Sequence, residues 1–284
     1  MKELTFFTTI LILFSSCETV VPIELAEGNK NIVVESYLEF PDTLDYGFAR
    51  VKLTESSAFN SSVASNTVSN ATIFINDTYA LQEDPDSLGY YTSTEPIPYT
   101  GEQEFSIEIV ADLDNKEGRW KATNAHTNIP SIDSIYYTYE PASPPFSEEG
   151  YFVKIMLTDP AAEQNFYHLT VLINDTSRFE LNPGTKRSLI IQDRYVNGMD
   201  LDFEVNDVPL YPGDTLEVVL SSITEEVYFY YFNLYTLLTE TSGVGAAPPF
   251  PLSSNLVSLN DNLPNALGFF QVRSTTQRQI VIEK

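Results

Sequence analysis

The feature of this chain that most restricts its fold is a period-two alternation of apolar residues, repeated at short intervals from Ile32 to Leu220. Ile32, Val34, Leu38 and Phe40 share one face of a strand, with Ser36 among them. Val51 and Leu53 mark a second strand whose Arg50 and Lys52 turn the other way. Ala71, Ile73 and Ile75 mark a third, Phe105, Ile107 and Ile109 a fourth, and Trp120 opens a fifth. Between them lie the turn clusters Pro41-Asp42, Asp84-Pro85-Asp86 and Asp112 to Gly118. Short alternating strands at this spacing predict antiparallel sandwiches.

The pattern breaks at His126 to Pro130 and restarts at Ile132. Ile135, Tyr137 and Tyr139 then share a face, followed by Val153, Ile155 and Leu157, by Leu169, Val171 and Ile173, and by Leu189 and Ile191. Leu216, Val218 and Leu220 form the last clear strand. The expectation is a mostly β chain with two β-sandwich-like (Ig-like) parts, residues 31–130 and 131–284. One aromatic-rich helix is expected near the C-terminus, at about 224–239. Ser222 and Glu225 have capping-box spacing, Glu225 and Glu226 suit a helix N-terminus, and Gly243 stands just beyond the C-terminus. Val227, Tyr231, Leu234 and Leu238, spaced four, three and four apart, predict a buried stripe.

Cys17 is the sole cysteine. It follows an apolar run, Leu4 to Phe14, about eleven residues long, which suits a signal-peptide core and is far below the ~20 needed to span a bilayer. The sequence Phe14-Ser15-Ser16-Cys17 resembles the lipobox of bacterial lipoproteins, with Phe14 where leucine is usual. The expectation is removal of residues 1–16, acylation of Cys17 (a diacylglyceryl thioether and an amide-linked chain such as palmitate), and a polar tether over residues 17–30. Several chains at about 0.8 kcal/mol per buried methylene make a stable anchor. With no second cysteine, neither an intramolecular disulfide nor a thiolate metal cluster is possible.

Acidic residues outnumber basic ones by 40 to 15, for a net charge of -25. Nucleic acid is therefore excluded as a partner, because phosphate binding needs a basic footprint. Catalytic constellations are absent from the pattern. The only histidines are His126 and His168, with no Gly-x-Ser-x-Gly elbow and no zinc spacing. The acidic loops at Asp84–Gly89 and Asp112–Gly118 lack the terminal glutamate of a calcium loop and read as turns. No catalytic, cofactor or metal residues are assigned, and the chain is not read as an enzyme. Two other sets stand out. Tyr228, Tyr231, Tyr235 and Phe250 are aromatics suited either to a ligand or to the core. Asp-Ser/Thr-aliphatic tripeptides place Thr43, Ser87, Ser134 and Thr215 in a pattern that resembles the O-glycosylation acceptor of exported Bacteroidetes proteins, and that also serves strand starts.

The order of motifs resembles a known family. Ile32-Val33-Val34-Glu35-Ser36 is followed by Val51-Lys52-Leu53-Thr54-Glu55-Ser56, Val68-Ser69-Asn70-Ala71-Thr72-Ile73 and Gly89-Tyr90-Tyr91. Then come Ile129-Pro130-Ser131-Ile132-Asp133-Ser134-Ile135, Pro249-Phe250, Ser254-Asn255-Leu256 and Ala266-Leu267-Gly268-Phe269-Phe270. This is similar to the Bacteroidetes lipoprotein family catalogued as domain of unknown function 4249. The resemblance implies an outer-membrane lipoprotein, often encoded beside a TonB-dependent transporter, and carries over no activity, cofactor or catalytic residue. The expected role is an accessory or ligand-capturing partner of such a transporter. The alternative is a structural or adhesive envelope protein without a small-molecule site.

Overall fold

A computed structural model describes residues 30–57, 65–101, 104–145, 148–161, 163–177, 190–240 and 250–283. Cys17, the tether up to residue 29, Leu189 and Gly243 lie outside them. The first part of the chain contributes β1 (Ile32–Pro41), β2 (Tyr46–Glu55), β3 (Thr72–Ile75), β4 (Tyr79–Asp84), β5 (Ser87–Ser93), β6 (Ile97–Pro98), β7 (Glu104–Leu113) and β8 (Lys116–Ala125). The next stretch adds β9 (Ile132–Glu140), β10 (Gly150–Thr158), β11 (Phe166–Ile173), β12 (Thr176–Ser177), β13 (Ile190–Gln192), β14 (Asp200–Glu204) and β15 (Thr215–Ile223). The helix α1 (Glu225–Glu240), β16 (Val257–Ser258) and β17 (Leu267–Val281) complete the fold. It is mostly β and sandwich-like, as the alternation predicts, and α1 is the one helix among the described residues.

Local chemistry sets the hairpins. Asn76-Asp77, Asp114-Asn115 and Asn174-Asp175 all have positive φ, and they occupy the turns β3–β4, β7–β8 and β11–β12. Two consecutive left-handed residues match the right-handed twist of the flanking strands, and Asn and Asp tolerate that conformation. The Asp112–Gly118 segment is accordingly a tight turn, with Leu113 directly paired to Lys116.

The sheets do not divide the chain at residue 130. One sheet runs β12-β11-β15-β17-β1-β2-β5-β4-β3-β7-β8-β16, and β14-β10-β9 form a second. β17 joins the halves. Its first half pairs with β1 in parallel, Val33 with Leu267 through Pro41 with Thr275. Its second half pairs with β15, Thr215 with Val281 through Ser222 with Ser274. Leu256, Ala266, Phe270 and Val272 accordingly pack into the first core with Val34, Leu38, Val51 and Trp120. The second core lies between β9–β10–β14 and the β11–β15 end of the long sheet, and includes Ile132, Val153, Ile155, Tyr167, Leu169 and Leu220. β17 escapes the sequence pattern because its centre, Arg273 to Arg278, is polar throughout. Ser274, Thr275 and Thr276 are nevertheless buried, as happens in a strand covered on both faces.

The first core closes by side-chain bonds. Asn124 of β8 accepts a hydrogen bond from the Val272 amide at 2.9 Å. Asn255 accepts from the Phe270 amide at 3.0 Å and donates to the Phe270 carbonyl at 2.8 Å. Where β17 meets β1, Gly268 has φ +90°, and a Cβ there would collide with the Val34 carbonyl oxygen, so only glycine permits the pairing.

The helix begins later than the capping box suggests. Ser222 stays in β15 opposite Tyr167, and the cap is Thr224, whose Oγ1 accepts from the Val227 amide at 3.4 Å. Val227 is buried and Tyr231 and Leu234 are half-buried, but Leu238 is 52% exposed and ends the predicted stripe early. The stripe shifts toward Tyr228 and Tyr235, which are buried against Phe166, Ile223 and Phe269.

Candidate functional site

The strand pairings arrange side chains on the outer face of the long sheet into rows. Directly opposed residues on neighbouring strands project to the same face. Leu267 and Val33 start the grid. The next row is Phe269, Glu35, Lys52 and Tyr90, and the row after it is Gln271, Tyr37, Arg50 and Thr92. Arg273 and Glu39 follow. Every one of these positions alternates with a core residue, so the face that fills the first core leaves this one free to be polar.

α1 covers the β17 side of the grid and leaves the β1–β2 side open. Between them is a groove of about 910 Å³, within the 300–1,000 Å³ typical of small-molecule sites. Its apolar wall comes from the helix and the chain beyond it: Val227, Tyr230, Tyr231, Leu234, Leu237, Phe250, Pro251 and Leu252. Its floor is the grid, from Val33 and Leu267 to Arg50 and Arg273.

The floor is organised by charge. Lys52 Nζ donates to Glu35 at 2.9 Å and lies 5.8 Å from the centre of the Tyr90 ring. The hydrogen bond to Glu35 holds the Lys52 ammonium above its usual range. Arg273 donates through Nε to Glu39 at 2.8 Å, and its guanidinium sits 4.0 Å over the Tyr37 ring. Tyr230 is pushed up to about 12, chiefly by burial, with Tyr231 and Glu35 adding to it. Gln271 donates to Tyr231 Oη at 2.8 Å, while its Oε1 is buried with no partner among the described residues.

Behind the groove the same face becomes dry. His168 stacks on Tyr231 at 4.6 Å, and its Nε2 is 2.8 Å from the Tyr235 hydroxyl. Burial, aided by the nearby Arg273 charge, holds its imidazole neutral and drives its pKa down to about 3. His126 is less isolated than its sequence surroundings suggest. Its Nε2 lies 2.8 Å from Ser274 Oγ, a residue 148 positions away. The Ser274 hydroxyl donates to the Thr127 carbonyl at 2.7 Å, so the imidazole is the donor to Oγ and does not stand as its base. Stacking on Tyr99 at 4.3 Å and contact with Phe40 complete its surroundings, and burial holds its pKa below normal.

The four singled-out aromatics divide. Tyr231 and Phe250 line the groove, whereas Tyr228 and Tyr235 pack in the helix–sheet core. The hydroxyl-bearing Thr43, Ser87 and Ser134 are exposed, and Thr215 is half-buried at the start of β15. Cys17 lies outside the described residues. No helix among them is long and apolar enough to cross a membrane, and they contain no cluster of metal-ligating side chains. The groove residues Glu35, Tyr37, Arg50, Lys52, Tyr90, Gln271 and Arg273 carry no motif. The one available signal was the outward alternation of Arg50 and Lys52 within a strand.

A protein-family comparison matches residues 18–279 to the family described as a domain of unknown function (DUF4249). The chain belongs to the DUF4249 family. The match takes in the helix, the first core, nearly all of the second and β17 up to Gln279, so the groove is built entirely from residues of the DUF4249 region. Among curated proteins, none matches the chain.

Proposed function

We propose that this DUF4249 protein is a lipid-anchored outer-membrane lipoprotein that captures a small molecule and serves as an accessory to a TonB-dependent transporter. The observation that carries the reading is the groove under α1. Its concave, largely apolar wall faces a few fixed polar groups, the usual composition of a small-molecule site. A structural or adhesive protein has no need of such a concavity. The anchor rests on the apolar run before Cys17, and the transporter on the lipoprotein family that the motif order resembles.

Two measurements test this. Cys17→Ala should move the protein from the membrane fraction to the soluble one, and the N-terminal peptide of the unaltered protein should carry a lipid adduct. Affinity purification from gently solubilised membranes should enrich an outer-membrane transporter over a control lipoprotein. If the acidic surface aids docking, association should slow as salt rises, since exposed charges are screened beyond about 8–10 Å at 0.1–0.15 M ionic strength. Recovery of the protein alone at low and high salt would move the weight to the structural or adhesive reading.

A further inference from the structure

We propose, resting on the capture reading above, that the groove is selective for an amphipathic carboxylic acid, with Arg50 binding the carboxylate and Gln271 accepting a hydrogen bond from a donor toward the ligand's other end. The charge of the groove is the first argument. The chain has 15 basic and 40 acidic residues, yet the groove holds Arg50, Lys52 and Arg273 against two carboxylates, Glu35 in its lining and Glu39 at its edge. The local balance is the reverse of the global one. Neutral solutes gain nothing from it, and cations are repelled.

The three cations are not equivalent. Lys52 is held by Glu35 and Arg273 by Glu39. The Arg50 side chain makes no hydrogen bond or ion pair with the other described residues. Its planar fork matches a carboxylate with two parallel bonds. Beside a largely apolar wall, that contact is worth more than it would be in open water.

The second argument is independent of charge. Gln271 is only 7% exposed. Its amide nitrogen is committed to Tyr231, and its oxygen is buried without a donor. An unpaired buried acceptor is unfavourable, so a ligand hydroxyl or N–H placed there recovers that loss. Gln271 and Arg50 both oppose Tyr37, one on each side. Two strand spacings separate them, roughly 10 Å between Cα atoms. The occupant that satisfies both has an acid at one end, a donor at the other, and an apolar body lying across Tyr37 under Leu234 and Leu252.

Isothermal titration calorimetry of the anchored protein in detergent, with 10-hydroxydecanoate, decanoate and decanol as probes, tests this. The wild type should bind decanoate about tenfold or more tighter than decanol, the range of a charged hydrogen bond. Arg50→Gln should abolish that preference while leaving decanol affinity and the thermal midpoint unchanged, since Arg50 is exposed and unpaired. The hydroxyl of 10-hydroxydecanoate should add a few-fold over decanoate, and Gln271→Met should remove the gain. Leu234→Trp, which fills the groove, should eliminate binding of all three. Equal binding of decanoate and decanol to the wild type would overturn the selectivity for an acid and leave the capture reading intact. Equal binding of decanoate and its hydroxy analogue would overturn the role of Gln271. No binding of any probe would overturn the capture reading itself.

Discussion

β17, β1, β2 and β5 present two faces built from alternate residues of the same strands, and the faces differ completely. On the inner face Val34, Leu38, Leu53, Phe270 and Val272 are fully excluded from solvent. Two polar residues, Ser36 and Ser274, intrude on it; Ser36 donates to the Phe269 carbonyl at 3.2 Å and Ser274 to the Thr127 carbonyl at 2.7 Å. On the outer face Glu35, Tyr37, Lys52, Gln271 and Arg273 make ion pairs, ring contacts and an unfinished hydrogen bond. Neighbouring residues one position apart thus answer to different requirements. The inner face is selected for apolar volume and close packing, which is a stability requirement. The outer face holds an arrangement of charge that contributes little to stability, since half-exposed ion pairs are worth about 0–1 kcal/mol. Such an arrangement points to recognition.

The largest effect that would break this comparison lies at Trp120. It is fully buried in the first core, and its indole N–H donates to the Pro264 carbonyl at 2.9 Å. Trp120→Ala should cost about 3–5 kcal/mol, the range for a buried tryptophan truncation. Urea unfolding measures it. A cost below about 1 kcal/mol would mean the inner face is not a packed core.

Leu234 tests the border between the faces. The sequence pattern treats it as a core residue, for which truncation costs about 2–5 kcal/mol. The structure places it half-buried beside the groove. Leu234→Ala should therefore cost about 1–2 kcal/mol and weaken probe binding as well. An effect on stability with none on binding would assign the residue wholly to the core.

How much of this was legible follows from the same contrast. Ile32 to Phe40, Val51-Leu53 and Leu216 to Leu220 announce their inner face because apolar residues at period two have one economical packing solution. Of the three Asn/Asp hairpin turns, only Asp114-Asn115 falls in a turn cluster the sequence pattern marks, Asp112 to Gly118; the two-residue Asn76-Asp77 and Asn174-Asp175 turns are too short to stand out. β17 was hidden because its partners, β1 and β15, are far away in sequence and its buried Ser274 to Thr276 look like a surface run. The helix cap shifted because pairing with β11 held Ser222 in a strand, a tertiary effect with no local sign. The groove was least legible. Glu35 and Arg273 meet the same wall only through the parallel pairing of β1 with β17, and a charge on an outward position otherwise reads as solvation.

His168 marks where the outer face passes from open to dry. The unfolded chain protonates it near the ordinary value of 6.5, whereas the folded value is about 3. Between those limits the unfolded state binds the extra proton. The stability contributed by neutral His168 is thus complete above about pH 6.5 and is lost as pH falls toward 3. From pH 7.5 to 5.5 the protein should lose about 1 kcal/mol more than His168→Phe does. Identical pH slopes would show that water reaches the imidazole and that the groove extends behind Tyr231.

The smallest effect sharpens the comparison most. Glu39 is half-buried at the groove's edge and neutralises Arg273. Glu39→Gln keeps the shape and one hydrogen-bond acceptor but releases the guanidinium charge. The stability cost should be roughly 0.5–1 kcal/mol, because the pair is only partly shielded from solvent. Affinity for decanoate should rise a few-fold, and affinity for decanol should stay constant. A residue that stabilises the fold while weakening the binding of an acid would show that the outer face is tuned between two demands. If the substitution lowered affinity for both probes equally, Glu39 would instead be holding Arg273 and Tyr37 in place as part of the groove floor, and the outer face would share the structural logic of the inner one.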